Sequence, residues 1–129
     1  MANRARVILR RGAVIVVALD PTFGHEQQGI RPCVVVSDPE VTADQRFPMI
    51  AVVPLTGTPG DGALYPRVAP GGSGLRKVST ALLDQVRAID KRRVRATYGG
   101  VTAIELRAID DGLALFLGLE LVDEDAGLE

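Results

Sequence analysis

Aromatic residues, cysteine and histidine are all scarce in this chain of 129 residues. Phe, Tyr and Trp together make up 4% of it, Trp is absent, and there is one Cys and one His. A single cysteine excludes an internal disulfide, and one Cys with one His cannot build a Cys/His zinc site. Cys33 precedes three valines, and because free cysteines are usually buried we expect its thiol in a core strand.

A long apolar run is also missing. The longest, Ala13 to Leu19, has the length of a β-strand, whereas a membrane-spanning helix needs about 20 apolar residues. Arginines precede the run as in a signal peptide, but the run is short and no small-residue cleavage site follows it. With 47% hydrophobic and 24% charged residues, we expect one globular domain over residues 1–129, with a core of about 10–120. We expect it in the cytoplasm, without membrane attachment.

The formal net charge of −1 leaves little overall attraction for nucleic acid, but the charges are unevenly distributed. Five of the 16 acidic residues lie in the tail at 120–129, which contains no basic residue. We expect the tail to be mobile beyond Asp123. Between Arg76 and Arg95 there are seven basic residues and two acidic ones. This cluster is either a phosphate-binding surface or an ordinary solvated face.

Short β-branched segments separated by Pro and Gly predict a mainly β protein. Residues 39–48 are polar and predict no regular structure, Asp90 can cap a short helical turn, and Gly99-Gly100 predicts a turn. The predicted strands are Val14 to Leu19, Cys33 to Ser37, Met49 to Leu55, Leu64 to Val68, Val78 to Val86 and Val94 to Tyr98.

The last element is predicted to be a helix. Thr102 and Glu105 form the Thr-x-x-Glu pattern of a capping box, and Gly118 can end the helix. Gly112 inside it costs about 1 kcal/mol relative to Ala. The strands and this helix predict a small, strongly bent antiparallel barrel with a C-terminal α-helix. The apolar residues at helical spacing are Leu106, Ile109, Leu113, Phe116 and Leu117.

The segment from Asp20 to Pro32 reads D-P-T-F-G-H-E-Q-Q-G-I-R-P. It closely resembles the signature loop of the MazF/PemK/Kid toxins, D-P-[ST]-x-G-[SH]-E-Q-x-G-x-R-P. Three further segments resemble that family in the same order: Arg11-Gly12, Val53 to Thr56 (V-P-L-T), and Asp84 to Asp90 (D-Q-V-R-A-I-D). The resemblance spans about residues 10–120.

The resemblance implies an SH3-like β-barrel that forms a homodimer. It also implies a toxin that cleaves single-stranded RNA at short sequences without metal or other cofactor, leaving 2′,3′-cyclic phosphate and 5′-hydroxyl ends. The expected partner is a MazE-like antitoxin that covers the active groove and binds DNA together with the toxin. The chain's composition agrees with cleavage without metal, because the sequence contains neither a tetrahedral Cys/His set nor a dense carboxylate cluster.

The family's two principal catalytic positions fall on Arg31 and Thr56. A guanidinium can hold two phosphoryl oxygens at once but stays protonated, which suits stabilisation of the transition state better than proton abstraction. The Thr56 hydroxyl can donate to a phosphate oxygen. The alternative for Arg31 is a structural ion pair with Glu26.

Three residues are candidates for proton transfer: Glu26, His25 and Asp84. Histidine titrates near neutrality, but many relatives have Ser at the position of His25. In the Kid branch the base role falls on the position of Asp84, with a partnering Arg two residues earlier, where this chain has Leu82. The sequence therefore does not identify which of the three is the general base.

RNA binding is expected at Gln27, Gln85 and Arg87. If residues 78–86 continue as a strand, Gln85 and Arg87 lie on one face, in the groove or at the dimer interface. Phe23 or Tyr65 can stack on a base or belong to the core. The competing functions are a CcdB-like gyrase poison on the same fold and an inactive barrel that binds RNA or a partner.

Overall fold

Seven β-strands and two α-helices make up the part of the chain that the computed structural model describes, residues 9–120. The residues beyond Glu120 in the predicted acidic tail lie outside it. None of the described helices is long and apolar enough to cross a bilayer. The elements are β1 Ala13–Ala18, β2 Ile30–Val35, α1 Pro39–Ala43, β3 Met49–Thr56, β4 Arg67–Val68, β5 Ser79–Ala81, β6 Arg87–Asp90, β7 Val94–Gly100 and α2 Ala103–Leu117, with 3₁₀ turns at Leu83–Gln85 and Lys91–Arg93.

The strands form one antiparallel sheet in the order β4-β5-β3-β2-β1-β7, with β6 also paired to β3. Strand β1 pairs with β2 and with the edge strand β7. Strand β3 is the longest, and along its length it pairs with β2, β5 and β6. The sheet curls into a half-barrel, and α2 follows its last strand. The predicted mainly β fold with a small antiparallel barrel and a C-terminal helix is confirmed.

Both faces of this sheet carry apolar side chains, because the strands at its centre are apolar at consecutive positions. Val14, Val34 and Val53 belong to the cluster that also contains Ile109 and Leu113 of α2. The alternate positions point to the other face and form a second cluster. Its members include Ile15, Val17, Cys33, Val35, Val52 and Ile89.

The thiol of Cys33 is fully buried in this second cluster, as expected. Burial disfavours the thiolate and raises the thiol pKa to about 12, against a smaller opposing effect of the nearby Arg87 charge.

Helix α2 begins and ends as predicted. Thr102 Oγ1 accepts from the Glu105 N–H at 3.1 Å, and Glu105 Oε1 accepts from the Thr102 N–H at 2.9 Å. Gly118 ends the helix with φ 70°. The predicted apolar face is buried at Ile109 and Leu113, whereas Phe116 and Leu117 are exposed.

Gly112 lies where the helix touches the rest of the protein. A Cβ atom at this position would collide with the backbone carbonyl of Ala63 and with the Leu83 side chain. Glycine therefore allows α2 to pack directly on the 3₁₀ turn at Leu83–Gln85 and on the loop before β4.

The predicted strand over residues 78–86 is wrong in its second half. Strand β5 ends at Ala81, although the Leu82 N–H still donates to the Pro54 carbonyl at 2.9 Å, as the next pair in the β3–β5 register. Beyond Leu82 the chain forms the 3₁₀ turn, in which the Gln85 N–H donates to the Leu82 carbonyl at 3.0 Å. Gln85 therefore precedes β6 instead of continuing a strand with Arg87.

Three smaller predictions also fail. Residues 39–43 form the short helix α1, whose N-cap Asp38 accepts from the Glu40 N–H at 2.8 Å. Only Arg67–Val68 of the predicted strand over 64–68 is paired. Gly99 and Gly100 belong to β7, and at Gly99 the missing side chain lets the backbone of residues 72–73 approach the strand. The predicted cap at Asp90 is confirmed, since its side chain accepts from the Arg92 N–H.

Candidate active site

The loop between β1 and β2, residues 19–29, is fixed at its base by two arginines that follow β3 in the sequence. Arg87 Nη1 donates to the Leu19 carbonyl at 3.2 Å. Arg93 Nη1 donates to the carbonyls of Ala18 at 3.2 Å and Asp20 at 2.5 Å. These charge-assisted bonds satisfy carbonyls at the end of β1 and hold the first residues of the loop in place.

The middle of the loop is held by Gln85. Its Oε1 accepts from the Gln27 N–H at 2.6 Å, and its Nε2 donates to the His25 carbonyl at 3.2 Å. These two hydrogen bonds fix the position of the loop relative to the 3₁₀ turn that contains Gln85.

A tight turn forms the tip of the loop. Glu26 Oε1 accepts from the Phe23 N–H at 2.5 Å, and the Glu26 N–H donates to the Phe23 carbonyl at 3.0 Å. The Phe23 ring projects from this turn and is 89% exposed. Phe23 was predicted either to stack on a base or to belong to the core, and this exposure excludes the core position. The side chain of His25 is also exposed.

Arg31 follows the loop on β2, and its side chain is exposed. Its Nε donates to the Gln28 carbonyl at 3.0 Å, whereas its Nη groups make no hydrogen bond within residues 9–120. The alternative of an ion pair with Glu26 is not realised in this region. The guanidinium is therefore oriented at one nitrogen and leaves its outer nitrogens available.

Thr56 is the last residue of β3 and lies on the same side of the sheet as Arg31. Strands β2 and β3 pair with Cys33 opposite Pro54, and continuing this register by two residues places Arg31 opposite Thr56. The Thr56 hydroxyl accepts from the Thr58 N–H at 3.2 Å. Within residues 9–120 the hydroxyl donates to no other group, so its own proton is available to a ligand.

A shallow cleft of about 120 Å³ has Pro54 of β3 in its lining. It collects five of the eight predicted site residues, two of them carboxylates and one an arginine. Arg31, Thr56 and the side chain of His25 do not line it, although Pro54, two residues before Thr56, does. The lining residues are Glu26, Gln27, Pro54, Asp84, Gln85, Val86 and Arg87.

The exposed carboxylate of Asp84 has a partner outside the cleft. The Tyr65 hydroxyl donates to Asp84 Oδ2 at 2.7 Å. This bond, together with the negative charge of Asp84, raises the pKa of the Tyr65 phenol above its ordinary value of 10. The phenol therefore stays protonated and remains a donor at neutral pH.

Comparison with known proteins agrees with this geometry. Residues 10–117 match the family model described as PemK-like, MazF-like toxin of type II toxin–antitoxin systems. This match covers most of the chain. The chain belongs to the PemK/MazF-like toxin family.

Solved structures show that the toxin also has the fold of this family. MazF from Deinococcus radiodurans has a TM-score of 0.75 at 23% identity, over 88% of this chain and 99% of that one. An endoribonuclease from a Mycobacterial species, solved with its cognate antitoxin, has a TM-score of 0.70 at 22% identity, over 87% and 97% of the two chains. The Mycobacterium tuberculosis toxin MazF-mt6 has a TM-score of 0.70 at 18% identity, over 84% and 99%.

Two residues of this toxin's site had no assigned role in the sequence. Arg93 is one of several basic residues in a row, and the sequence does not show which of them donates to the loop carbonyls. Tyr65 was considered only for stacking or for the core. Within residues 9–120, no group of three His, Cys, Asp or Glu side chains is placed to share a metal ion.

Proposed function

We propose that this toxin is a sequence-specific, metal-independent endoribonuclease that cleaves single-stranded RNA. The observation that carries the proposal is the position of Arg31. Its guanidinium is exposed, with outer nitrogens unpaired among the described residues, and Arg31 and Thr56 each lie two residues beyond the Cys33–Pro54 pair of β2 and β3. Pro54 also lines the cleft that contains two carboxylates. Membership of the toxin family supports the same activity.

Cleavage would use the 2′-hydroxyl of the RNA as the nucleophile. A base takes the 2′ proton, the 2′ oxygen attacks phosphorus, and the bond to the 5′ oxygen breaks. A proton from water or from Arg31 reaches the departing oxygen. The products are a 2′,3′-cyclic phosphate and a 5′-hydroxyl.

Arg31 stabilises the negative charge that develops on the phosphoryl oxygens, and Thr56 donates its hydroxyl to one of them. Among the three base candidates we favour Asp84. Glu26 also lines the cleft, but one of its oxygens is used in the turn with Phe23, and the side chain of His25 does not line the cleft. Asp84 Oδ1 makes no hydrogen bond within residues 9–120.

The remaining cleft residues have separate roles in the proposal. Arg87 and Gln27 contact the RNA, with Arg87 also holding the loop. Gln85 shapes the cleft through the loop, because both ends of its amide are already used.

We further propose that the toxin acts in the cytoplasm as a homodimer and is inhibited by an antitoxin that covers the groove. Exposed apolar residues of α2, among them Ile104 (83%), Leu115 (64%) and Leu117 (52%), support an interface between two copies. The relative crystallised with its cognate antitoxin supports the second partner.

Incubation of the purified protein with a mixed-sequence RNA in EDTA tests the activity. Discrete cuts with cyclic-phosphate ends are expected from the native protein and from Arg46→Ala, whose exposed guanidinium pairs with Asp44 outside the cleft. Arg31→Ala should leave the RNA intact. If the native protein leaves RNA intact but inhibits DNA gyrase, the proposal gives way to the gyrase-poison alternative. Intact RNA that is nevertheless bound would indicate an inactive binding barrel.

A further inference from the structure

The hydrogen bond between Tyr65 and Asp84 joins a residue without an assigned function to the proposed base. We propose that Tyr65 is a positioning residue for RNA cleavage, holding the Asp84 carboxylate by one oxygen so that the other is presented to the substrate. This inference rests on the proposed ribonuclease function. Its geometric basis is the 2.7 Å bond from the phenol to Oδ2, which leaves Oδ1 without a partner in the described chain.

The backbone around Tyr65 keeps the phenol in place. The Tyr65 N–H donates to the Gly62 carbonyl at 3.0 Å and closes a turn. On either side, the carbonyls of Leu64 and Pro66 accept from the N–H groups of Leu83 and Ala81 at 3.1 and 2.8 Å. Tyr65 thus belongs to a segment that is bonded directly to the chain leading into Asp84.

The two segments are also held by the same helix. At Gly112, α2 approaches Ala63 on one segment and Leu83 on the other without an intervening side chain. Because Ala63 is two residues from Tyr65 and Leu83 is adjacent to Asp84, one contact of α2 supports both partners of the hydrogen bond.

A neutral donor suits this position. No Lys or Arg forms an ion pair with Asp84 among residues 9–120, and the titratable groups that share its cleft are Glu26 and Arg87. A phenol orients the carboxylate without adding a cation that competes with Arg31 or Arg87 for phosphate. Leu82, two residues before Asp84, has no polar group to do this.

The test separates the hydroxyl from the ring. Tyr65→Phe keeps the ring but removes the donor, and we expect kcat to fall about tenfold while KM stays within twofold, since one bond to a charged group is lost. Tyr98→Phe, which removes the chain's other phenol, should cleave like the native protein. Unchanged kcat in Tyr65→Phe would overturn the proposal, as would a rise in KM alone, because that would indicate an RNA contact.

A double-mutant cycle tests whether Tyr65 acts through Asp84. Tyr65→Phe should lower single-turnover cleavage in the native background and have no effect in the Asp84→Asn background. Equal effects in both backgrounds would contradict the proposal.

Titration of the phenol distinguishes failure of this inference from failure of the ribonuclease proposal. The chain has two tyrosines and no Trp, so in Tyr98→Phe the tyrosinate absorbance reports Tyr65 alone. Adding Asp84→Asn should shift this titration to lower pH. If the titration does not move, the contact is absent in solution and the inference fails, whether or not the protein cuts RNA. If it moves but the native protein leaves RNA intact, the ribonuclease proposal fails and takes the positioning role with it.

Discussion

Gln85 and Gln27 are 58 residues apart in the chain, yet the Gln27 N–H donates to Gln85 Oε1 at 2.6 Å. With the second bond to the His25 carbonyl, the Gln85 amide connects the 3₁₀ turn before β6 to the middle of the β1–β2 loop. The loop that carries Glu26 is therefore positioned by a residue adjacent to Asp84, and both carboxylates of the cleft depend on the same turn.

Replacing Gln85 with Ala removes both bonds, and we expect the amides of residues 23–28 to exchange faster with solvent. Cleavage should fall about tenfold in kcat/KM, the usual effect of losing one or two net hydrogen bonds. Gln85→Glu keeps the acceptor for Gln27 but loses the donor to His25, so it should be intermediate in hydrogen exchange. Gln45→Ala, at an exposed position outside the site, is the control. Unchanged loop exchange with a raised KM would show that Gln85 binds RNA directly.

Arg31→Ala should lower cleavage about a thousandfold, as expected when a group that stabilises transition-state charge is removed. Arg31→Lys keeps the charge and should retain part of the activity, measured as single-turnover cleavage of a short RNA. Equal loss in both variants would mean that the fork geometry of the guanidinium is the whole requirement. The free energy of unfolding should be unchanged in either variant, because the side chain is exposed and bonded only to a loop carbonyl.

Gly112→Ala tests the close packing of α2. Helix propensity alone predicts stabilisation of about 1 kcal/mol. We expect a net loss of about 1 kcal/mol instead, since the added methyl group meets the Ala63 backbone and overpacking costs about 2 kcal/mol. Urea unfolding measures the difference. Ala108→Gly on the exposed side of the same helix calibrates the propensity effect and should cost about 1 kcal/mol.

Asp90 should make stability depend on pH at the acidic end. Hydrogen bonds from the Arg92 side chain and backbone lower its pKa from 3.8 to about 2. Because the pKa of Asp90 is lower in the folded state, its ionised carboxylate stabilises the fold at pH values above the pKa of the unfolded state. This contribution is lost as pH falls from about 4 to about 2. The melting temperature of Asp90→Asn should therefore lie below that of the native protein at pH 6 and approach it near pH 2. Arg92→Ala should reproduce part of the difference; a constant offset at every pH would contradict this assignment.

Short-range patterns predicted the local structure that neighbouring residues determine. The capping box of Thr102 and Glu105, the Asp90 cap and the apolar strands β1 to β3 all form as expected. The end of β5 was not predictable in this way, because the 3₁₀ turn at Leu83–Gln85 that follows it packs against α2, which lies later in the sequence. The turn predicted at Gly99 is wrong for a similar reason, because the missing side chain accommodates the backbone of residues 72–73, which are distant in the sequence.

The candidate site shows a similar division. Arg31 and Thr56 are expected from the family resemblance, and each lies two residues beyond the Cys33–Pro54 pair of β2 and β3. The contacts of Tyr65 with Asp84 and of Arg93 with the loop span 19 and more than 70 residues. Neither contact leaves a periodic or local signal in the sequence.

The buried thiol of Cys33 can serve as a built-in probe of local unfolding of the sheet. With a pKa near 12 and no exposed surface, it stays protonated and shielded at physiological pH, so alkylating reagents and oxidants reach it only in molecules whose sheet has separated. The rate at which a thiol reagent modifies the native protein thus measures how often β1, β2 and β3 come apart, without any added label.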